Sequence, residues 1–578
     1  MISDKSAQAL YFDGVPQDWE SMKAGDPTRF TIMGAGLYGF EVFNAVLNYS
    51  SYDRIFIPPV PHRPAGDFRD SKTFSHNRER LHFLPEHELS QLQSYPRLVF
   101  ATPGMDLANM ARLRRISRTP TAPVTGVIHS LNYSWQLRFI MLLLLSPLDS
   151  FDALICSSVA GRTAVSNLIK LNQDRLDKCG WPRLTSRLRT PVIPLGVDTA
   201  QYGAHNCKGR ISTASIPEGP VALYFGRFSA SSKGDLFPLI LAFRGLFRSF
   251  SNLTLVIAGD DTQYQMTGDL RRLASDLGLA DRVQVIPNPS FEEKKELYAA
   301  ADVFLSPSDS LQETFGITIV EAMAAGLPAV VSDWDGYKDL VVHGKTGYRV
   351  KTILPHYLPQ FDDLRGSGDM LLPDLLAGTT MIDMQELAGY VHTLLENDAL
   401  RAAMSEAARQ RAVNVYDWRV VIASYEALWE ELMADAEART SLRDEPFLDL
   451  EHFGYEEIFS HYATDFLSPD CGVRLSELGR TWKHGSQLLC KTAGHMNWFR
   501  EATFSTILDL LRSTDCTTVS DVLEIAGDQT EMGQILSTAH LCRLIKYGFL
   551  ETVEMPAVQR SHSGDASEKC ANNPYICV

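Results

Sequence analysis

Two glutamates eight positions apart are the residues whose types and spacing point most directly to chemistry. Glu313 lies just before a predicted helix and Glu321 lies inside it, in the stretch SPSDSLQETFGITIVEAMAAG at 306–326. At about 100° per residue, eight steps place the second carboxylate roughly a quarter-turn from the first. Both carboxylates can therefore face the N-terminal end of the helix.

That helix end suits a phosphate, because its free backbone N–H groups carry a partial positive charge. Gly316 has no side chain, so a ligand can approach the backbone closely there. The pattern indicates a site for a sugar joined to a diphosphate. A capped helix with one solvated and one salt-bridged glutamate is the structural alternative.

The segment ETFGITIVEAMAAGLP at 313–328 resembles the E-x7-E signature of the family-four retaining glycosyltransferases, which have the GT-B fold. The resemblance extends from about residue 34 to about residue 434. It implies that Glu313 orients the hydroxyls of a donor sugar and that Glu321 binds a ribose. It also implies that backbone amides between the two glutamates bind the phosphates, at Phe315, Gly316 and Ile317.

Two cations follow a predicted strand at 220–225. Gly226 and Arg227 open the loop, which ends at Lys233. Transfer from a nucleotide sugar leaves negative charge on a diphosphate, and fixed cations aimed at that charge stabilise the transition state more than the ground state. Solvated surface charges are the alternative. Arg227 and Lys233 match the order and spacing of an Arg and a Lys in the family that the segment resembles.

A second glycine-rich segment follows a predicted strand at 29–33. Gly34 and Gly36 belong to a G-x-G-x-x-G loop at 34–39, and a helix is predicted from residue 40 to residue 47. Strand, glycine loop and helix together are typical of a nucleotide-binding fold. By resemblance this loop faces an interdomain cleft near the acceptor and the donor phosphate; a tight turn without a ligand is the alternative.

His129 ends a predicted strand in GVIHS. In open parallel sheets, ligands gather at the C-terminal strand ends. The resemblance implies that His129 contacts the donor sugar near its reacting carbon. His62 and His76 lie on predicted loops that could line an acceptor pocket, although an ordinary surface position explains them as well.

Composition limits the classes of function. The chain has 578 residues, 45% of them hydrophobic, which predicts a globular protein of two or three domains. A formal net charge of −16 makes nucleic acid an unexpected partner. Nine cysteines without a C-x-x-C pair indicate reduced thiols in a cytosolic protein and no zinc site. The N-terminus does not resemble a signal peptide, and the apolar run 139–145 is too short to span a bilayer.

Alternating apolar runs and helices predict an α/β protein with two Rossmann-like domains facing across a cleft, plus a small, mainly helical C-terminal domain. An insertion is expected at 351–381. The predicted divisions are an acceptor domain at 1–205 closed by a returning helix at 417–434, a nucleotide-sugar donor domain at 206–434, a linker at 435–449, a helical module at 450–555 and a disordered tail at 556–578.

The C-terminal module is predicted to be a winged helix, because three short helices precede the segment LIKYGFLE. Phe504, Ile507, Leu508 and Leu511 form one apolar stripe. Arg543 and Lys546 on the third helix are candidates for DNA contact. The acidic chain and the lack of a basic cluster instead favour protein contact or self-association.

The residues and the resemblance together predict a retaining, metal-independent glycosyltransferase without a cofactor. In the mechanism that the resemblance implies, the departing phosphate oxygen takes the proton of the acceptor. The acceptor (a saccharide, a lipid-linked or a small molecule), the sugar and the base are not identified. The expected location is cytoplasmic, with peripheral membrane contact as an option. A GT-B sugar phosphorylase or synthase and a nucleotide-sugar-binding regulator are the alternative functions.

Overall fold

The computed structural model describes residues 8–13, 34–59, 77–181, 184, 186–202, 218–230, 232–311, 313–354, 377–438, 467–482, 499–527 and 531–553. The chain divides into two compact units, Met1–Glu451 and His452–Val578. Each unit is described by itself.

The first domain is built on a six-stranded parallel sheet with strand order β3-β2-β1-β4-β5-β6. The short apolar runs of the sequence form these strands, which are almost wholly buried. Their bounds are β1 Gln8–Phe12, β2 Arg54–Ile57, β3 Leu81–Phe83, β4 Arg97–Ala101, β5 Val124–Val127 and β6 Ala153–Ile155.

Among the described residues, three α-helices lie between strands of this sheet and a fourth follows β6, with bounds α1 Gly34–Tyr49, α2 Leu107–Ile116, α3 Ser134–Leu145 and α4 Val159–Lys178. Side-chain caps fix two of their starts, because Asp106 accepts from the N–H of Asn109 and Ser158 accepts from the N–H of Gly161. The central strand β1 was not predicted. The strand predicted at 29–33 lies outside the described residues.

The second domain repeats this architecture with the strand order β12-β11-β10-β7-β8-β9, all parallel. In both sheets the strands run 3-2-1-4-5-6 when counted from the first strand of the domain, which is the Rossmann order. Their bounds are β7 Val221–Phe225, β8 Thr254–Gly259, β9 Val283–Pro287, β10 Val303–Ser306, β11 Ala329–Ser332 and β12 Gly347–Val350.

The helices of the second domain are α5 Phe237–Ser249, α6 Thr267–Asp276, α7 Phe291–Ala300, α8 Ile317–Ala324, α9 Tyr337–Leu340, α10 Met384–Glu396 and α11 Asp398–Arg411. A two-stranded antiparallel ribbon, β13 Thr352–Ile353 with β14 Met381–Ile382, flanks residues 355–376, which lie outside the described part. Two Rossmann-like domains are therefore present, and the predicted GT-B class is confirmed.

A last helix of the first unit, α12 Trp418–Glu437, links the two sheets. It follows a π-helical turn at Ala412–Tyr416 and begins at Asp417, whose side chain accepts from the N–H of Arg419. The indole Nε1 of Trp429 donates to Thr125 Oγ1 on β5 at 3.1 Å. One apolar core runs through side chains of both sheets and this helix, so the two domains share a packed interior.

The second unit combines a three-stranded antiparallel sheet with helices. The sheet order is β16-β15-β17, with β15 Gly472–Leu475, β16 Thr517–Thr518 and β17 Leu550–Val553. The helices are α13 Glu477–Thr481, α14 Glu501–Ser513, α15 Val519–Ala526 and α16 Glu531–Lys546.

The apolar stripe predicted for α14 is confirmed, because Phe504, Ile507, Leu508 and Leu511 are all buried. The guanidinium carbon of Arg543 lies over the ring of Phe499, 4.5 Å from its centroid. Among the helices of the described residues, none combines the length and the apolar character needed to cross a bilayer.

Candidate active site

The loop that leaves β10 delivers the first glutamate to the start of α8. Gly316 precedes this helix with a φ of 121°, a left-handed conformation that favours glycine. A Cβ added at Gly316 would lie 2.5 Å from the Cε1 atom of Tyr337. The ring of Tyr337 therefore packs directly against the backbone at the N-terminal end of α8, where the N–H groups of Phe315, Gly316 and Ile317 are found.

Both carboxylate oxygens of Glu313 have donors, although the residue is only 7% exposed. Tyr337 donates its hydroxyl to Oε2 at 2.6 Å, and Lys233 forms an ion pair with Oε1. The Tyr337 hydroxyl also lies 2.9 Å from Ser306 Oγ. A cation from the β7–α5 loop and the carboxylate from the β10–α8 loop thus meet in one cluster.

Two ionisable groups beside Glu313, the side chains of Tyr337 and Asp335, have pKa values raised toward their uncharged forms. Burial and the charge of Glu313 raise the pKa of Tyr337 well above its ordinary value, so the phenol remains a donor. Burial, together with the charge of Glu313, raises the pKa of Asp335 to about 8. At neutral pH this neighbouring carboxyl is therefore largely protonated.

Glu321 is held by an ammonium group and two phenols. Its Oε1 accepts from Lys294 Nζ at 2.6 Å and from the Tyr202 hydroxyl at 2.8 Å, and its Oε2 accepts from the Tyr298 hydroxyl at 3.1 Å. The ammonium of Lys294 also lies 5.1 Å from the centroid of the Phe225 ring. A carboxylate oxygen accepts two hydrogen bonds, so Oε2 has room for one further donor, such as a ribose hydroxyl.

A carboxyl of the first domain belongs to the same electrostatic neighbourhood. Glu41 lies on α1, and burial together with the charge of Glu321 raises its pKa to about 8. Lys294 acts in the opposite direction and Asp198 adds to the rise. The charge state of α1 is therefore coupled to the glutamate of the second domain.

Arg227 and Lys233 lie on the β7–α5 loop, at the C-terminal end of the central strand of the second sheet. The backbone N–H of Lys233 donates to Ser229 O at 3.1 Å, and the Tyr224 hydroxyl donates to Arg227 O at 3.2 Å. Burial and the charge of Glu313 raise the pKa of Tyr224, while the charge of Arg227 lowers it. Both charges therefore act on one phenol.

Gly226 opens the same loop. A Cβ added there would lie 2.8 Å from the Tyr224 hydroxyl oxygen, which is too close for a larger residue without displacement of that ring. The Tyr224 phenol, on which the charges of Glu313 and Arg227 both act, therefore packs against Gly226. This packing fixes the backbone that carries Arg227.

His129 lies just beyond β5 of the first domain. Its Nε2 is 2.6 Å from Pro103 O, and its ring contacts the edge of the Tyr38 ring at 5.7 Å between centroids. Burial lowers the pKa of His129, so the imidazole is neutral at pH 7. Because a carbonyl oxygen can only accept, Nε2 carries the proton and Nδ1 is left as an acceptor.

The loop predicted at 34–39 is wrong, because α1 begins at Gly34 and continues to Tyr49. Burial of side chains along this helix, including Tyr38, Phe43 and Val46, stabilises a helical start that its glycines alone would disfavour. Gly34 and Gly36 therefore belong to the first turn of a helix. Their part in donor binding stays a prediction, and His62 and His76 lie outside the described residues.

Two hydrogen bonds join the first domain to the site-bearing loops. Ser157 Oγ donates to Thr314 O at 3.2 Å, and the N–H of Val159 donates to Asp339 Oδ2 at 2.5 Å. The first of these contacts reaches the residue next to Glu313. The end of β6 thus holds the backbone that places the carboxylate.

Taken together, the second domain presents a helix start, an arginine, a lysine and two carboxylates, whose charges suit an anion beside a hydroxyl-rich group. The contacts of His129 are with Pro103 and Tyr38 of the first domain, and its part in the site stays a prediction. Within the described residues, no group of three or more His, Cys, Asp or Glu side chains could hold a metal ion.

Apart from Lys233, sequence reasoning did not find the residues that hold the two glutamates. Lys294 and Tyr298 are four positions apart on α7 and so share one face of the helix, which was a usable signal. Tyr202 lies 119 positions before Glu321, and no local pattern indicates that pairing. Tyr337 gave no signal either, because its contact with Glu313 depends on the turn after β11.

Residues 210–355 match the family model described as "Glycosyl transferases group 1". This range includes Arg227, Lys233, Glu313 and Glu321, and it covers most of the second domain. The first domain and the second unit lie outside it.

The chain is also similar to curated proteins. It is 29% identical over 273 residues to the phosphatidyl-myo-inositol mannosyltransferase of Mycobacterium tuberculosis, an alignment that covers 47% of this chain and 60% of the relative. It is 39% identical over 149 residues to the GDP-mannose:cellobiosyl-diphosphopolyprenol alpha-mannosyltransferase of Xanthomonas oryzae, covering 26% of this chain and 35% of the relative. The chain thus spans less than two thirds of the length of these relatives.

Among solved structures, HepE of Anabaena in complex with UDP is similar at 19% identity and a TM-score of 0.47, over 73% of this chain and 100% of that one. The match of residues 210–355 to the group 1 glycosyl transferase model is thus confined to the second domain.

Proposed function

We propose that the protein is a retaining glycosyltransferase that moves a sugar from a nucleotide-diphosphate sugar to a hydroxyl acceptor. The observation that carries the proposal is the ion pair between the half-buried Lys233 and the buried Glu313 beside the start of α8. A cation suited to a phosphate and a carboxylate suited to sugar hydroxyls meet there. A sugar diphosphate offers groups to both.

The bound donor would exchange partners with the free site. Its diphosphate takes the ammonium of Lys233 and the fork of Arg227, and its sugar hydroxyls donate to Glu313 in place of Lys233. A ribose hydroxyl occupies the remaining acceptor position on Glu321 Oε2. Each charged group keeps a partner throughout, which limits the desolvation cost of the exchange.

In the proposed reaction the bond between the anomeric carbon and the phosphate oxygen breaks, and the acceptor oxygen bonds to that carbon on the same face. The acceptor proton passes to the departing phosphate oxygen, so the protein supplies no general base. Arg227 and Lys233 stabilise the charge that develops on the diphosphate. His129, neutral and with Nδ1 free to accept, positions the sugar near the reacting carbon.

The donor panel follows from the relatives. Two of them are named as mannosyltransferases, one of which uses GDP-mannose, and HepE was solved with UDP. GDP-mannose and UDP-glucose are therefore the first donors to test, with phosphatidylinositol and a polyprenol-linked saccharide as acceptors. Nucleotide release from one donor, with an α-linkage in the product by NMR, supports the proposal. Failure of every nucleotide sugar to bind or react contradicts it.

Metal independence is part of the proposal, because the two cations can neutralise a diphosphate without a divalent ion. Full activity after dialysis against EDTA is expected. A loss that Mg²⁺ or Mn²⁺ restores would contradict this part alone.

The C-terminal unit is proposed to be a winged-helix module for protein contact or self-association. Support comes from its helices α14, α15 and α16, which precede β17, and from the packing of Arg543 over Phe499 and Tyr547, which engages a candidate DNA-contacting side chain internally. Light scattering of the full chain, with and without residues 452–578, tests self-association.

A further inference from the structure

Two side-chain amides just beyond β5 are enclosed without complete partners. Gln136 is 1% exposed; its Nε2 donates to Ser130 O at 2.8 Å, while its Oε1 has no hydrogen-bond partner in the described part of the chain. Both Nδ2 and Oδ1 of Asn132 are likewise buried and, among the described residues, unpartnered. Since buried amide groups are normally hydrogen-bonded, three open positions within residues 132–136 indicate a bound group.

Gln136 is tied to the backbone that follows His129. Its Nε2 donates to the carbonyl of Ser130, the next residue after His129 in the chain. The segment starts at the C-terminal end of β5, where open parallel sheets collect their ligands.

The unpartnered amide atoms of Asn132 and Gln136 limit which kind of ligand can bind there. Asn132 offers one NH₂ donor and one acceptor oxygen, and Gln136 offers one acceptor oxygen. An anion would satisfy the donor and leave two acceptors unpaired, and an ammonium group would leave the donor unpaired. Hydroxyl groups both donate and accept, so neighbouring hydroxyls satisfy all three positions.

The assignment of oxygen and nitrogen does not alter this choice. Interchanging the two amide atoms of Asn132 still gives one donor and one acceptor. The orientation of Gln136 is set by the carbonyl of Ser130, which only a nitrogen can approach as a donor.

We propose that Asn132 and Gln136, in the segment that follows His129, form a subsite for neighbouring hydroxyls of a sugar or polyol ring. The proposal rests on the proposed function, in which two hydroxyl-rich partners, the donor sugar and the acceptor, meet in this region. Their hydroxyls have the same chemistry. The experiment must therefore separate the two sources.

Binding to the full chain is measured by ligand-observed NMR and calorimetry with two sets of probes. The donor arm compares GDP-mannose with GDP and UDP-glucose with UDP, so that the contribution of the sugar is isolated. The acceptor arm uses methyl α-D-mannopyranoside and myo-inositol in the presence of saturating GDP or UDP. Asn132→Leu and Gln136→Met replace the amides with apolar groups of similar size and are each expected to weaken one arm about tenfold.

A loss confined to the nucleotide sugars assigns the hydroxyls to the donor, and a loss confined to the free ring compounds assigns them to the acceptor; both support the subsite. Unchanged affinities in both arms overturn it and leave ordered water as the occupant. It is also overturned if the wild-type chain binds the nucleotides but gains no affinity from any sugar or polyol. Failure of the proposed function has a different signature, because the wild-type chain then binds none of the nucleotides.

Two further variants serve as controls for this experiment. Asn132→Asp keeps the shape and two acceptor oxygens, so a hydroxyl ligand loses less affinity than with Asn132→Leu; a larger loss identifies an anionic ligand and overturns the assigned class. Gln91→Met changes an exposed glutamine of the same domain and is expected to alter neither arm. Melting temperatures of all variants establish that the affinities refer to folded protein.

Discussion

The two glutamates of the second domain already have partners, whereas two amides of the first domain do not have a full set. Glu313 and Glu321 are buried against ammonium groups and phenols. Asn132 and Gln136 have buried amide atoms that no described residue partners. Under the proposed function, a ligand would displace partners at the glutamates but would only add partners at the amides.

This contrast has an energetic cause. An isolated buried carboxylate is far more costly than an unpaired amide, so a free protein can leave amides open but must neutralise its glutamates. Lys233 and Lys294 perform that neutralisation.

Glu313→Gln gives the largest expected effect, because it removes a charge that pairs with Lys233 and that, under the proposed function, orients the donor sugar. We expect kcat for nucleotide release to fall by about 10²–10³-fold, since interactions made in the transition state are lost. The side chain keeps its size, so melting by circular dichroism should remain cooperative. Near-normal turnover would remove Glu313 from the site and weaken the comparison on its charged side.

The sequence was sufficient for the architecture but not for the partners of the site. The strand predicted at 220–225 is observed as β7 at Val221–Phe225, because buried parallel strands are local signals. The central strand β1, with the sequence QALYF, was missed because it is a short run in a polar N-terminal segment.

The candidate site was likewise only partly predictable from the sequence. Glu313, Arg227 and Lys233 lie in recognisable motifs, and the Lys233–Glu313 contact joins loops 80 positions apart. The pairs Tyr202–Glu321 and Tyr337–Glu313 depend on how the sheets and turns pack, which no residue pattern encodes. The helical start at Gly34 was missed because glycine propensity was weighed without the burial of the following side chains.

Lys294→Met tests whether the ion pair between Lys294 and Glu321 is needed for donor binding. Loss of the ammonium leaves the buried Glu321 with two phenols only, which favours its protonated form and weakens its bond to a ribose hydroxyl. We expect KM for the nucleotide sugar to rise about tenfold, with a smaller change in kcat.

The matched control is Lys295→Met, which changes the neighbouring lysine of α7. Lys295 pairs at 2.6 Å with Glu292, whose side chain is 73% exposed, so its removal should alter KM by less than about twofold. Equal effects of the two variants would show that general charge, not the Glu321 contact, determines donor affinity.

Glu41→Gln gives the smallest effect and tests the boundary between the two sides. The pKa of Glu41 is raised to about 8 by burial and by the charge of Glu321, so the folded protein holds a proton that the unfolded chain releases near its ordinary pKa. Between those two values the folded state binds more protons, and the free energy of unfolding must decrease as pH rises. Asp335, whose pKa is also raised to about 8 by burial and Glu313, contributes in the same direction.

Glu41→Gln should therefore remove part of the decrease in the free energy of unfolding between pH 6 and 8. The part removed should be about 1 kcal/mol after allowance for the partial exposure of Glu41. Urea denaturation at both pH values measures it. An unchanged slope would show that neither burial nor Glu321 raises the pKa of Glu41, and the charged side of the site would then end within the second domain.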